Sequence, residues 1–363
     1  VSSYRYSQLF YDILKMPVSI RNRVAMTADL NPFQEYLMGV RYIQTKSDKV
    51  PAGYTVLQEK EGHVLAENPN VLPLAYGSTA LMSEDDFDQL SYPQTLDTLA
   101  NRTIVEMPGK STNESTSSAS AGNNVSEFQN KGENSLSTLP YASQMTEYAL
   151  PEDFFDHEDS SKDETICWKL PEALSASTIL LLSFDVEYDG ERDMSIIING
   201  IRNRLSGSEA PYPNNNNTFY YMVSGNEDMD SLDITFSSGH YEIKNVKAYI
   251  LPLSALSHPG LVDFQENTTS GAEIVNGTIN MPEDGYFVTS YTYSRGYTAY
   301  VDGKEVATEQ VNKAFVGFPL QKGAHEIRIE FHAPGKSIGL LLSLAAAVVL
   351  ILSQALTRMP RHK

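Results

Sequence analysis

The most pronounced pattern in the chain lies at its C-terminal end. Ser337 to Thr357 runs for 21 residues without a charge. At ~1.5 Å per residue that is a helix of about 31 Å, close to the thickness of a bilayer core. Pro334-Gly335 closes whatever precedes it, and Arg358, Arg361 and Lys363 follow it, the basic flank expected on a cytoplasmic side. No polar stripe recurs at helical spacing, so the run reads as one transmembrane helix, 337–357, and not as a buried core helix. Residues 358–363 become a cytoplasmic tail, and residues 1–336 are expected to be extracytoplasmic. The chain opens on Val1 with neither initiator Met nor signal peptide. It is therefore expected to be a processed product or a piece of a longer one, exported by a signal or by earlier membrane helices.

Upstream, the pattern is mainly β. Thr178 to Tyr188 is too rich in β-branched and aromatic residues for a helix of that length. Met194 to Ile198 ends at Asn199-Gly200, a hairpin signal. Phe219–Val223, Leu232–Phe236 and Val246–Leu251 continue the series, and turn-rich gaps between them suggest a jelly-roll-like β-sandwich over 138–256. A smaller Ig-like β-sandwich is expected over 257–335. Its strands would be Glu273–Ile279, Gly285–Tyr293, Tyr297–Val301, Lys304–Ala307, Ala314–Leu320 and Ala324–His332, with a tight turn at Val301-Asp-Gly-Lys304. Residues 1–109 read as mixed α+β. Tyr4–Lys15 has helical spacing, Asn31-Pro32 opens a short helix over Phe33–Met38, and Gly39–Ile43 reads as a strand. Tyr54–Leu57 and His63–Glu67 form a hairpin around Lys60-Glu61-Gly62, and Ser83 caps a helix with Asp86 three residues on. From Ser111 to Ser126 eleven of sixteen residues are Ser, Thr or Asn, so 110–137 is expected to be a disordered loop.

Charge narrows the partners. The net charge is −19, and the three positive charges after residue 336 leave −22 on the rest. That surface suits no nucleic acid, whose phosphates need Lys and Arg. Cys167 is the single cysteine, which excludes an intrachain disulfide and a thiolate metal cluster. His157-Glu158 begins like a zinc-protease motif, but position 161 is Ser where a second His is needed. No metal site is expected there. Asp185, Glu187, Asp189 and Gly190 imitate the start of a calcium loop, yet its twelfth position is Ile196 in place of a bidentate Glu. A solvated strand face explains the alternation better, with a structural Ca2+ as the lesser reading. Glu152 to Glu164 reads as a solvated acidic loop. Aromatic side chains near loops and strand edges could stack on sugar rings. Trp168, Tyr212, Tyr220 and Tyr221 are the candidates for carbohydrate binding, with core packing as the commoner role for such residues. Six Asn-x-Ser/Thr sequons, at Asn101, Asn113, Asn124, Asn216, Asn267 and Asn276, are no more than this Asn- and Ser-rich composition gives by chance.

Both ends of the chain carry a further pattern. Asn31-Pro-Phe-Gln-Glu-Tyr-Leu-Met-Gly-Val-Arg-Tyr-Ile43 is followed by Glu67-Asn-Pro-Asn-Val-Leu-Pro-Leu-Ala-Tyr-Gly77. Later come Asp284-Gly-Tyr-Phe-Val-Thr-Ser, Arg295-Gly-Tyr-Thr-Ala-Tyr-Val-Asp-Gly-Lys304, Asn312, Ala314-Phe315, Gly323-Ala-His-Glu-Ile-Arg and Pro334-Gly335 with its apolar helix. As a set, in this order, these resemble the YfhO family of bacterial polytopic membrane proteins. Tyr297 stands where the family often has Trp, and Lys313 where it often has Gly. The resemblance implies a many-helix protein whose large extracytoplasmic domain precedes its last helix. It further implies a GT-C-type glycosyltransferase that decorates lipoteichoic acid or a related envelope polymer from a lipid-phosphate-linked sugar. The catalytic carboxylate of that type lies in an early loop between N-terminal helices. This chain would be the tail, with no catalytic residue of its own. Its partners would be the membrane, the upstream transmembrane domain and the glycopolymer. The rival readings are a stand-alone anchored adhesin or carbohydrate-binding protein, and a transporter-associated ectodomain.

Overall fold

Two antiparallel β-sandwiches are clamped on a layer built from the N-terminal part of the chain. The computed structural model describes residues 7–17, 31–106, 143–151, 155 and 162–358. The expected loop at 110–137 and the His157-Glu158 pair lie outside them. The fold is mostly β.

The first sandwich has two four-stranded sheets. One runs in the order Ile201–Leu205, Met194–Ile198, Met229–Phe236, Glu164–Leu174, and the other in the order Thr218–Val223, Thr178–Tyr188, Tyr241–Pro252, Thr146–Glu147. Every neighbouring pair is antiparallel. The chain crosses repeatedly between the sheets, in the strand order of a jelly roll. Phe184, Phe219, Tyr221, Leu232, Ile234 and Phe236 fill the space between them. Asn199 and Gly200 both take positive φ, +48° and +86°, which makes the tight turn their side chains permit. Thr178–Tyr188 is apolar without alternation because both its faces are covered. Leu180, Leu182, Phe184 and Val186 point into the sandwich, whereas Ile179 and Leu181 point into the N-terminal layer.

The second sandwich has two five-stranded sheets, closed around Ile279, Met281, Phe287, Phe318, Ile327 and Ile329. One sheet corrects the expected division of the chain. Its order is Leu261–Val262, Ala75–Ser78, Gly285–Thr292, Phe315–Leu320, Glu309–Val311. A strand from residue 75 onward therefore sits inside a sheet otherwise built after residue 257. Gly77 is required there, since a Cβ on it would lie 2.6 Å from Met281 Sδ and 2.7 Å from Ile279 Cδ1. Residues 257–335 are thus not a self-contained sandwich.

The layer between the sandwiches is one continuous core. Leu9, Phe10, Leu14, Phe33, Tyr36, Leu37, Leu72, Leu96 and Leu99 join Ile179, Leu181 and Leu251 of the first sandwich to Tyr286, Val288 and Phe315 of the second. Where a regular helix is expected near the start, the structure has a π-helical turn, Gln8–Ile13. Helix Pro32–Leu37 begins at Asn31, whose side chain accepts hydrogen bonds from the Phe33 and Gln34 backbone N–H groups, and Pro32 at its first position fits a cap of that kind. It ends in a Schellman motif, with Gly39 N–H donating to Tyr36 O and Val40 N–H to Glu35 O. Gly39 is left-handed at φ +66°, so the strand expected from residue 39 starts only at Tyr42.

The chain closes with the helix Lys336–Arg358, 23 residues long. Ile338, Leu340, Leu341, Leu344 and Ile351 on it are all exposed. Among the described residues no helix is long and apolar enough to cross a membrane.

Candidate functional site

The four aromatic residues singled out for sugar contact do not converge. Tyr221 is only 1% exposed, and its hydroxyl donates to Ile196 O at 2.9 Å. It is a core residue of the jelly-roll sandwich and offers no face to a ligand. Trp168 points inward from its strand and packs on that core, with its ring 6.1 Å from Phe155. Tyr212 is 83% exposed on a loop, apart from the others. Tyr220 lines a pocket of about 240 Å³ with Tyr11, Lys15, Asn203 and Asn215 to Asn217. Its ring already packs T-shaped on Tyr92, with centroids 4.8 Å apart, and the Lys15 ammonium lies over it at 5.3 Å. Those contacts compete with stacking on a sugar.

The acid alternation on Thr178–Tyr188 is tied up in cross-strand bonds. Asp185 accepts from Thr218 Oγ1 at 2.6 Å and from Asn245 Nδ2 at 2.8 Å, and these bonds hold its carboxyl below the usual range. Glu187 pairs with Lys244 at 2.9 Å. Among the described residues, no group of three or more His, Cys, Asp or Glu could hold a metal ion.

A different carboxylate stands out. Glu35, on the helix Pro32–Leu37, is 5% exposed. Among the described residues its Oε1 has no hydrogen-bond partner. It lines a partly open pocket of about 360 Å³ with Tyr36, Gly53, Asn68, Asn70, Ser177, Leu253, Ser254, Leu256 and Ser257. The helix turns Phe33, Tyr36 and Leu37 into the central layer and leaves Glu35 facing the seam with the jelly-roll sandwich. Gly53, at φ +83°, brings the opposing loop in close. A Cβ there would lie 2.9 Å from Leu253 Cδ2 and 3.2 Å from Asn68 Nδ2. Burial pushes the Glu35 carboxyl up to about 8, because the charged form loses its hydration. Nearby Tyr54 donates to the Val40 carbonyl, and burial and the Glu35 charge raise it in turn. Nothing local in the sequence marks Glu35 as buried. Only its place inside the Asn31–Ile43 motif could have drawn attention to it.

A second buried titratable group is His258. Its Nε2 lies 3.2 Å from both Ser78 Oγ and Thr103 Oγ1, and Thr103 donates to Ser78 at 2.8 Å. Burial, with Arg102 nearby, lowers the imidazole to about 4. Ser78 is fully buried, so this neutral cluster fastens Ala75–Ser78 in place and presents no nucleophile.

Two antiparallel sandwiches clamped on a helical layer, followed by an exposed apolar helix, define a mainly β protein built on one shared core. The sequence matches the model of the family described as bacterial membrane protein YfhO over residues 2–343, and the chain belongs to that family. It is 21% identical over 360 residues to an uncharacterized protein YfhO of Bacillus subtilis (strain 168), an alignment that takes 96% of this chain and 39% of the relative. The chain thus spans about two fifths of the length of that curated relative.

Proposed function

We propose that this chain is the extracytoplasmic C-terminal portion and last membrane helix of a polytopic glycosyltransferase. The enzyme would decorate lipoteichoic acid or a related envelope polymer, taking its sugar from a lipid-phosphate carrier. The role of this portion is to brace the membrane part and position the acceptor. The observation that carries the reading is the family match over residues 2–343, which takes in both sandwiches and the start of the apolar helix. The shared core supports a bracing role, since a domain joined to its neighbour by one hydrophobic layer transmits position and does not swing freely. On this reading the uncharged run Ser337–Thr357 crosses the membrane, with the basic residues after it inside.

The reading is tested in the complete protein. Deletion of residues 143–335 abolishes or strongly reduces sugar transfer to the envelope polymer, while the purified 363-residue chain transfers none. Transfer by the isolated chain, or full decoration by the deletion variant, contradicts it. The charge of −22 before the last helix makes contact with a polyanionic acceptor local and strengthened by divalent cations, because like charges repel at long range.

A further inference from the structure

We infer that the pocket around Glu35 binds a small primary ammonium ligand carried on a hydroxylated group, an amino sugar being the simplest case. This does not depend on the transferase reading. Three observations carry it. First, a carboxylate nineteen-twentieths buried, with an unpartnered oxygen among the described residues, is costly unless a ligand completes its hydrogen bonds. Second, among the described residues the pocket lining holds no Lys or Arg, and its titratable neighbour Tyr36, like Tyr54 beside it, is held neutral by burial. Ionisation of Glu35 therefore needs a positive charge that the described lining does not supply. Third, the remaining walls suit a polar molecule with several donors. The Ser177, Ser254 and Ser257 hydroxyls and the Asn68 and Asn70 amides share the pocket with apolar Pro32, Leu253 and Leu256. An ammonium has three N–H donors, one for the carboxylate and two for hydroxyl or amide oxygens. At about 360 Å³ the space is at the small end of ligand pockets, enough for a single ring. The acidic surface as a whole draws cations toward it.

The proton balance supplies the signature. A neutral ligand leaves Glu35 protonated. An ammonium ligand is bound by the ionised carboxylate, so the Glu35 proton passes to solvent as the ion pair forms. The test is titration calorimetry on the whole chain in detergent at pH 7, with glucosamine as the probe and glucose as its neutral counterpart. Two buffers of different ionisation enthalpy count the protons. Glucosamine is expected to bind at least about tenfold more tightly than glucose and to release close to one proton per site. Glu35→Gln, which keeps the shape of the protonated acid, is expected to lose at least about tenfold in glucosamine affinity, together with the proton release. Equal binding of glucose, no binding of glucosamine, or binding by the wild-type chain without proton release overturns the inference. The last of these needs no variant, so a misfolded Glu35→Gln protein does not obscure the outcome.

Discussion

Replacing Glu35 by Gln removes one titrating group with almost no change of shape, and its effect on stability has a fixed sign at each pH. In the folded protein the carboxyl titrates near 8, against 4.5 when unfolded. Below pH 4.5 both states are protonated, so the group adds no pH dependence. Between 4.5 and 8 the unfolded chain has lost the proton and the folded chain keeps it. Stability then falls with rising pH at about 1.4 kcal/mol per unit. The accumulated loss is about 3 kcal/mol at pH 7 and on the order of 5 kcal/mol above pH 8. His258 works in the opposite direction. Its imidazole is lowered from 6.5 to about 4, so its contribution is complete above pH 6.5 and lost as pH falls toward 4. From pH 4.5 to 6.5 the two slopes cancel, and Glu35→Gln uncovers the His258 slope. Urea unfolding of the wild-type chain and the variant, in the same detergent at pH 4.5, 5.5, 6.5, 7.5 and 8.5, reads the difference directly. The variant should match the wild type at the lowest pH and exceed it by several kcal/mol at the highest. Parallel profiles would refute the burial argument for Glu35.

Other consequences follow from the shared core. A fragment of residues 257–335 should show no cooperative β-sheet transition by circular dichroism, because the sheet that holds Gly285–Thr292 lacks its neighbour Ala75–Ser78. A stable folded fragment would contradict the interlock. Phe33→Ala, at a fully buried site in the central layer, should cost about 3–5 kcal/mol in urea unfolding. Tyr221→Phe should cost about 1 kcal/mol through the lost bond to Ile196 O, and should leave any carbohydrate binding measured by calorimetry unchanged.

The fold was legible wherever a local rule decided it. Thr178–Tyr188 could be read from its composition, and three hairpins from turns whose residues take positive φ: Glu61-Gly62, Asn199-Gly200 and Asp302-Gly303. Ser83 caps its short helix as its spacing to Asp86 suggests, accepting from the Asp86 N–H at 3.1 Å. What escaped the sequence was decided at long range. Ala75–Ser78 is four residues with no alternation, and it is a strand because its partners 200 residues away supply the hydrogen bonds. Glu164–Leu174 was hidden by its charges and Pro171, which an edge strand tolerates. Helix Gln94–Asn101 is only two turns long, too short for its Leu96, Leu99 and Ala100 spacing to speak clearly. At the candidate site the motif was visible but its chemistry was not. A Glu on a short helix ordinarily faces water, and this one is walled in by residues distant in sequence, Gly53, Asn68, Ser177 and Leu253 among them. For the aromatic candidates the limit is similar: strand position does not reveal that Tyr221 is covered by the core while Tyr212 stands exposed on its loop.

The central proposal is that the two sandwiches lie outside the cytoplasm ahead of a last helix that spans the membrane. Cys167 is exposed on the jelly-roll sandwich and is the single cysteine of the chain, which makes it a built-in topology reporter. Intact bacteria expressing the complete protein, with a Cys167→Ser version as the control, are treated with a membrane-impermeant maleimide before and after lysis. The account predicts Cys167-dependent labelling of intact cells at the level seen after lysis. Labelling that appears only once the membrane is broken would contradict it.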